Sequence, residues 1–349
     1  MTTSPAPTQN AAPLAPPPPA PARAAPPGGK KAAWTLVKLA VGLGLLGYVA
    51  QRSPLRDIGQ AFLEVRVSTV AIAFVLYILS MWIAGLRWRI LCTAYGAKFS
   101  IPVRRLVALY MQGLFYNTFL PGAVGGDLLR AHQVRSAFDT PVRSYAAVLL
   151  ERVFGFAALA CLSAVALTMG LSGRQTDLTP LLAVCGLAVA AAVAGALLLP
   201  RILRRLSAAW GDRGKIGSVL GLLARTPDLT RPRLLVWAMF LSFGTQLVGV
   251  VAAYLITRDL SPRVGFQHCL AYIPLANIAA YFPMTVGGLG AREATFVALF
   301  ARIGIPEARS FATSLVFFGV QVIVALVGGV VQFLVPMEPV PPVSPEGGP

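Results

Sequence analysis

Six charged side chains stand within or beside apolar stretches of this chain: Asp127, Arg130, Glu151, Arg152, Arg292 and Glu293. Charge in hydrocarbon is expensive, and inside a membrane segment it marks a binding site or an ion path unless a structural pair accounts for it. Two related stretches hold or adjoin most of these residues. "PGAVGGDLLR" occupies 121–130 and "PMTVGGLGAR" occupies 283–292, and both read P-x-x-V-G-G-x-x-x-R. Proline and a glycine pair end a helix and leave N–H and C=O groups that lipid cannot satisfy. A helix restarting after Gly-Gly offers free N–H groups and a positive dipole end, which suit a phosphate. The arginine four residues after the second glycine adds a cation. Glycine pairs in membrane helices also serve as close-packing sites, but the repetition of the pair together with its arginine favours anion binding.

Asp127 and Arg130 are three residues apart on a helix and can pair locally. Glu151–Arg152 and Arg292–Glu293 are adjacent in sequence, so each pair is expected to point apart and to need other partners. One arrangement joins Glu151 or Glu293 to Arg130 or Arg292 across the interface between the two copies. Gln112, Tyr116, Asn117, Asn277 and Tyr281 supply hydrogen-bonding groups at the same depth, and lone polar residues of this kind more often make interhelical contacts. Arg87, Trp88 and Arg89 fall where a span is expected to end, and read as an interfacial anchor.

No nucleophile–base pair accompanies these residues. His132 and His268 are far apart, and Cys92, Cys161, Cys185 and Cys269 lack metal-ligand spacing and read as small buried apolar residues. The expectation is therefore a transporter with no catalytic residues, no metal and no cofactor. An enzyme acting on a lipid head group is the weaker alternative.

The elements that would position the charges are membrane helices. Of 349 residues, 56% are hydrophobic and 12% charged, with mean hydropathy +0.70, about half the charge usual in a soluble domain. Apolar runs of helical length recur without strict alternation, which indicates an all-α polytopic membrane protein rather than a β-barrel. The net charge of +17 gathers between the apolar runs. It reads as positive-inside loops on a bacterial cell (inner) membrane rather than as a nucleic-acid surface.

Residues 1–29 form a Pro/Ala-rich tail that can bury no core, 30–336 form the membrane domain, and 337–349 form a second Pro-rich tail. Full spans are expected at about Ala33–Ala50, Val67–Leu86, Ser144–Gly170, Leu181–Leu199, Leu234–Thr257 and Phe311–Val335. Residues 51–66 suit an interfacial helix. The basic loop from Pro200 to Arg233 sets the orientation, with both termini cytoplasmic. The two motifs then lie on re-entrant elements entering from opposite faces, or on broken pairs that make about eight spans. This is the pattern of inverted repeats, whose interrupted helices build a site near the bilayer midplane.

"LRWRIL", "YNTFLPGAVGGDLLRAHQV", "VLLERVFGF" and "YFPMTVGGLGAREATFVAL", in this order, resemble the transmembrane region of lysylphosphatidylglycerol synthase/flippase proteins. The resemblance spans roughly residues 33 to 335. It implies movement of an aminoacyl-phospholipid, or of a polyprenyl-phosphate-linked sugar, between leaflets. By position, Asn117, Pro121, Gly125, Gly126, Asp127 and Arg130 would form the first motif, and Gly287, Gly288, Gly290, Arg292 and Glu293 the second. The bifunctional members carry a soluble aminoacyl-transferase domain after this region. None follows here, so a stand-alone flippase-like protein is expected, with a membrane lipid as substrate. A cell-envelope glycosyltransferase is a candidate partner, and an accessory role beside such an enzyme is the competing reading.

Overall fold

The computed structural model describes residues 55–98, 102–119, 125–171, 229–280 and 290–335, with isolated helical positions at 47, 194, 198, 201, 202, 204, 205 and 208. The expected spans at 33–50 and 181–199, most of the basic loop and both tails lie outside the described residues. What is described is helical: α1 Leu55–Glu64, α2 Val67–Ala94, α3 Val103–Phe119, α4 Gly125–Gln133, α5 Val142–Leu171, α6 Leu234–Leu260, α7 Phe266–Ala280, α8 Ala291–Ala301 and α9 Glu307–Leu334. A short 3-10 turn at Arg135–Ala137 joins α4 to α5.

Four of these helices, α2, α5, α6 and α9, are long and apolar enough to cross a membrane. Their outward faces carry Val75, Leu79 and Trp82, Leu149, Val236 and Phe240, and Val330 and Phe333, all exposed. Aliphatic and aromatic side chains on the outer surface are what lipid requires of a spanning helix. The expected second span stops short. The chain remains helical through "RWR" to Ala94, which carries Arg87 and Trp88 into the packed interior.

The remaining helices come in short pairs, α3 with α4 and α7 with α8. Their lengths are 17, 9, 15 and 11 residues, each below the roughly 20 residues of a full crossing. Pro274 lies inside α7, where its missing N–H removes one helical hydrogen bond. The order span, short pair, span therefore occurs twice, as α2–α3–α4–α5 and as α6–α7–α8–α9.

The packing repeats with the order. Helix α2 packs most extensively on α6, α3 packs on α9 as α7 packs on α5, and α2 touches α5 as α6 touches α9. Exchanging the two sets of four helices leaves this pattern of neighbours unchanged.

Two apolar clusters anchor the pairs. One gathers Trp88 and Leu91 from α2, Leu106 from α3, Ala131 from α4, Phe154 from the first half of α5 and Leu235 from the start of α6. The other gathers Ala73 from the opposite part of α2, Ala166 from late α5 and Ile256 from late α6. These pack with Tyr272 from α7, Phe296 and Phe300 from α8 and Phe317 from α9. The two short pairs are thus seated toward opposite ends of the same long helices. Close packing at both ends, with Phe296 and Phe300 stacked at 4.4 Å, leaves room between them.

Candidate functional site

The room between the clusters is a cavity of about 290 Å³. Its walls come from near the middle of each of the four described spanning helices: Tyr77 and Met81 of α2, Gly155 and Leu159 of α5, Thr245 and Gln246 of α6, Phe318 and Gln321 of α9. The ends of the short helices complete it, with Asn117 from α3, Asp127 and Arg130 from α4, Asn277 from α7 and Arg292 from α8.

The first motif reaches the cavity through a close helix contact. A Cβ added at Gly126 would lie 1.9 Å from the carbonyl oxygen of Gly113, so α4 can approach α3 this closely only with glycine at that position. Across the contact, Asn117 Oδ1 accepts the Gly126 N–H at 2.9 Å, and its Nδ2 donates to Asp127 Oδ1 at 3.1 Å. Asn117 thereby caps the start of α4 from a neighbouring helix, satisfying a backbone donor that lipid would leave bare.

Asp127 then gathers the cations. It accepts from Arg130 Nε at 3.1 Å, the local pair that the spacing allows, and from Arg152 Nε of α5. Arg130 Nη1 lies 2.7 Å from Glu151 Oε2, close enough for strong attraction although off the hydrogen-bond direction. Glu151 Oε1 accepts from Arg87 Nη2 at 2.7 Å, and Arg87 Nη1 donates to Ser242 Oγ of α6 at 3.2 Å. The guanidinium of Arg130 sits between two aromatic faces, with its carbon 4.4 Å from the Tyr110 centroid and 5.1 Å from that of Trp88. Cation–π attraction of this kind strengthens when water is excluded. Glu151 and Arg152 take different partners, Arg87 and Arg130 for the acid and Asp127 for the base, yet both line the cavity.

The second motif is organised differently. Gly290 has φ 88°, a left-handed conformation that glycine adopts without a Cβ clash, and it starts α8. Glu293 folds back so that Oε2 accepts the Gly290 N–H at 2.7 Å. That turn leaves Glu293 Oε1 beside its neighbour, where it accepts from Arg292 Nη2 at 2.6 Å and Nε at 3.1 Å. The expectation that Arg292 and Glu293 point apart is therefore wrong. The capping role bends the carboxylate toward the start of the helix, and the long arginine curls onto it. Arg292 Nη1 also donates to Gln321 of α9 at 3.1 Å, and its guanidinium lies 4.7 Å from the Phe318 ring.

Ten of the residues singled out from sequence can be placed: Asn117, Gly125, Gly126, Asp127, Arg130, Glu151, Arg152, Gly290, Arg292 and Glu293. Pro121, Gly287, Gly288 and Tyr281 lie outside the described residues. The pairing of Glu151 with Arg130 forms, but between helices of the first set of four rather than across the two sets. Each motif arginine has its acid close by, and the two arginines share only the cavity.

Gln112 donates to the Val335 carbonyl at 2.8 Å and Tyr116 to Gln332 at 3.0 Å, so these two make interhelical contacts. Cys92, Cys161 and Cys269 are buried. Arg89 is exposed, whereas Arg87 and Trp88 are 4% and 0% exposed, and the anchor reading fails for these two. Gln246 and Gln321 were also missed, although a lone glutamine in the middle of an apolar run is a visible signal.

Among the described residues four arginines, Arg87, Arg130, Arg152 and Arg292, line the cavity. Against them stand Asp127 and Glu151 in the wall and Glu293 just behind Arg292. Four positive and three negative charges leave the site one charge positive. Of these four cavity cations Arg152 is the most accessible, with 26% of its side chain exposed against 5% for Arg87, 4% for Arg130 and 6% for Arg292.

These features define a polytopic helical membrane protein whose two interrupted helix pairs meet at a buried, cationic cavity. The family described as the lysylphosphatidylglycerol synthase TM region matches residues 35–329, and the chain belongs to that family. It is also similar to a UPF0104 membrane protein of Methanothermobacter thermautotrophicus, at 26% identity over 310 residues that cover 81% of this chain and 86% of that one.

Proposed function

We propose that this protein is a flippase-like transporter that carries an anionic or phosphate-linked lipid between the leaflets of the cell membrane. The observation that carries the reading is the cavity itself. It lies at mid-length of four spanning helices, its described residues hold one excess positive charge, and its wall includes an apolar part (Met81, Leu114, Phe156, Leu159, Phe317) beside neutral polar groups such as Ser80, Thr245, Gln246 and Asn277. A lipid presents the complementary pair of properties, a phosphate for the guanidiniums and acyl chains for the apolar wall and the surrounding bilayer. Arg130, wedged between Trp88 and Tyr110 and held by two carboxylates, orients the site. Arg152 and Arg292 contact the cargo phosphate, and Arg130 completes its anion site.

The repeated order of helices and its exchange-invariant packing support an inverted repeat, in which the pairs α3–α4 and α7–α8 are re-entrant from opposite faces. Rocking of one set of four helices against the other would open the cavity to each leaflet in turn. The carried lipid is an aminoacyl-phospholipid or a polyprenyl-phosphate sugar, as the family's name and the anionic selectivity of the site suggest. Both termini are cytoplasmic.

The test is reconstitution. Arg152→Gln and Arg292→Gln, purified and placed in vesicles, should each lower translocation of a labelled anionic phospholipid at least about tenfold, the effect of removing roughly 1.4 kcal/mol of phosphate contact. Both variants should elute as folded protein. Wild-type rates in both would overturn the assignment.

A further inference from the structure

The two motifs differ at one chemically decisive position: Asp127 in the first aligns with Leu289 in the second. We propose that Asp127 is the proton-carrying group of the transport cycle, which makes the proton a co-substrate of the lipid. In the empty site its carboxylate holds Arg130 and Arg152. A lipid phosphate takes those guanidiniums only as Asp127 takes up a proton. The inference rests on the lipid-transport reading above.

The argument is one of competition for the same donors. A carboxylate and a phosphodiester are both anions that want charge-assisted hydrogen bonds from guanidinium. Asp127 Oδ2 already accepts from Arg152, and Oδ1 accepts from Arg130 Nε and Asn117 Nδ2, each at 3.1 Å. Asp127, Arg130, Arg152 and Asn117 all line the cavity, so an incoming phosphate meets this carboxylate on the arginines it needs. Two anions forced onto one pair of cations repel, and neutralising the carboxylate removes the repulsion.

The other carboxylates are committed elsewhere. Glu151 is clamped between Arg87 and Arg130. Glu293 caps α8 and faces Arg292 and Ser314. The groups that face Asp127 are therefore Arg130 on its own helix, Arg152 and Glu151 on α5, and Asn117 and Tyr110 on α3. Arg87 of α2 acts one ion pair further away, through Glu151.

The charges balance. Proton uptake converts the Asp127 carboxylate to a carboxyl group, no covalent bond to the lipid forms or breaks, and the arginine N–H groups pass from carboxylate to phosphate. The empty site holds one excess positive charge. With Asp127 neutral and a monoanionic phosphodiester bound, it again holds one. The field felt by the surrounding helices is thus unchanged by loading. A lipid whose only charge is that phosphodiester crosses with its proton as a neutral pair, which avoids the cost of moving net charge through hydrocarbon. On the opposite leaflet the steps reverse, and the carboxylate reclaims Arg152 as the lipid leaves.

The test uses the full chain in phosphatidylcholine vesicles that contain fluorophore-labelled phosphatidylglycerol and an enclosed pH dye. Wild type should move the label several-fold faster from an acidic to an alkaline leaflet than without a gradient, and the dye should record one proton per lipid. Asp127→Asn, which fixes the group in its neutral form, should lose both the response to the gradient and the dye signal, whatever label movement it retains.

Wild-type translocation that ignores the gradient and moves no protons would overturn proton carriage and leave lipid transport standing. So would an Asp127→Asn variant that keeps both responses. If that variant does not fold, the wild-type proton-to-lipid ratio decides the matter. Absence of any label movement by wild type would remove the transport reading itself, and the inference with it.

Discussion

In the first interrupted pair the charges come from three helices; in the second the acid and the base come from one. Arg87, Glu151, Arg130, Asp127 and Arg152 form a chain of ion contacts that ties α2, α4 and α5 together. Arg292 and Glu293 are neighbours on α8, and their outside polar contacts run to Gln321 and Ser314 of α9. The first network makes the positions of three helices depend on one another, so a change at any member is felt by all. The second is a capped helix start that carries its cation into the cavity as a rigid unit. Two copies of one sequence motif thus serve different ends, one adjustable and one fixed.

Several substitutions would sharpen or break that contrast. The largest effect is expected from Glu151→Gln, which leaves Arg87 without its acid and Arg130 with Asp127 alone. Loss of one member of a buried ion pair costs about 3–5 kcal/mol, so the purified protein should show a large fall in unfolding temperature. Glu293→Gln should cost less, about 2–3 kcal/mol, because Gln321 still accepts from Arg292 and the amide oxygen can still cap Gly290. An equal or larger loss at Glu293 would remove the distinction between the two networks.

Gly126→Ala comes next. Its new Cβ would collide with the Gly113 carbonyl, and overpacking of this sort costs about 1–3 kcal/mol. It should also lengthen the distance between cysteine-attached spin labels on α3 and α4, and an unchanged distance would show that the contact is slack. The smallest effects belong to the aromatic seats. Trp88→Leu should lower stability by about 2 kcal/mol through lost packing and cation–π attraction to Arg130. Phe318→Leu should lower it by about 1 kcal/mol, since Arg292 keeps its acid. The reverse order would place the tighter cation seat in the second half.

Much of this was legible in residue types. Apolar length marked α2, α5, α6 and α9, because a helix in lipid must be apolar over its whole circumference and that pattern leaves a plain signal. The Pro and Gly-Gly motifs marked where helices break, since few other residues interrupt a membrane helix. Asp127, Arg130, Glu151, Arg152 and Arg292 stood out because charge inside an apolar chain is costly enough to be kept only for a purpose. Arg87 and Trp88 did not stand out. At the end of an apolar run, burial and anchoring look the same in sequence, and only the continuation of α2 to Ala94 separates them. Tyr110 was equally hidden, because nothing in a helical pattern says which aromatic face meets which cation.

The sequence by itself determined that this chain is a helical membrane protein with two interrupted helices, since hydrophobicity and helix breaking are local properties of the chain. It also named most of the charges, and the one charged position at which the two motifs differ. Which charge meets which was decided by tertiary structure. The partner of a buried arginine depends on where helices from distant parts of the chain come to rest, as when Glu151 reaches Arg87, 64 residues away. The curl of Glu293 onto Gly290 is a local capping contact three residues back, but the sharing of one cavity by both motifs is a property of packing that no spacing along the chain encodes.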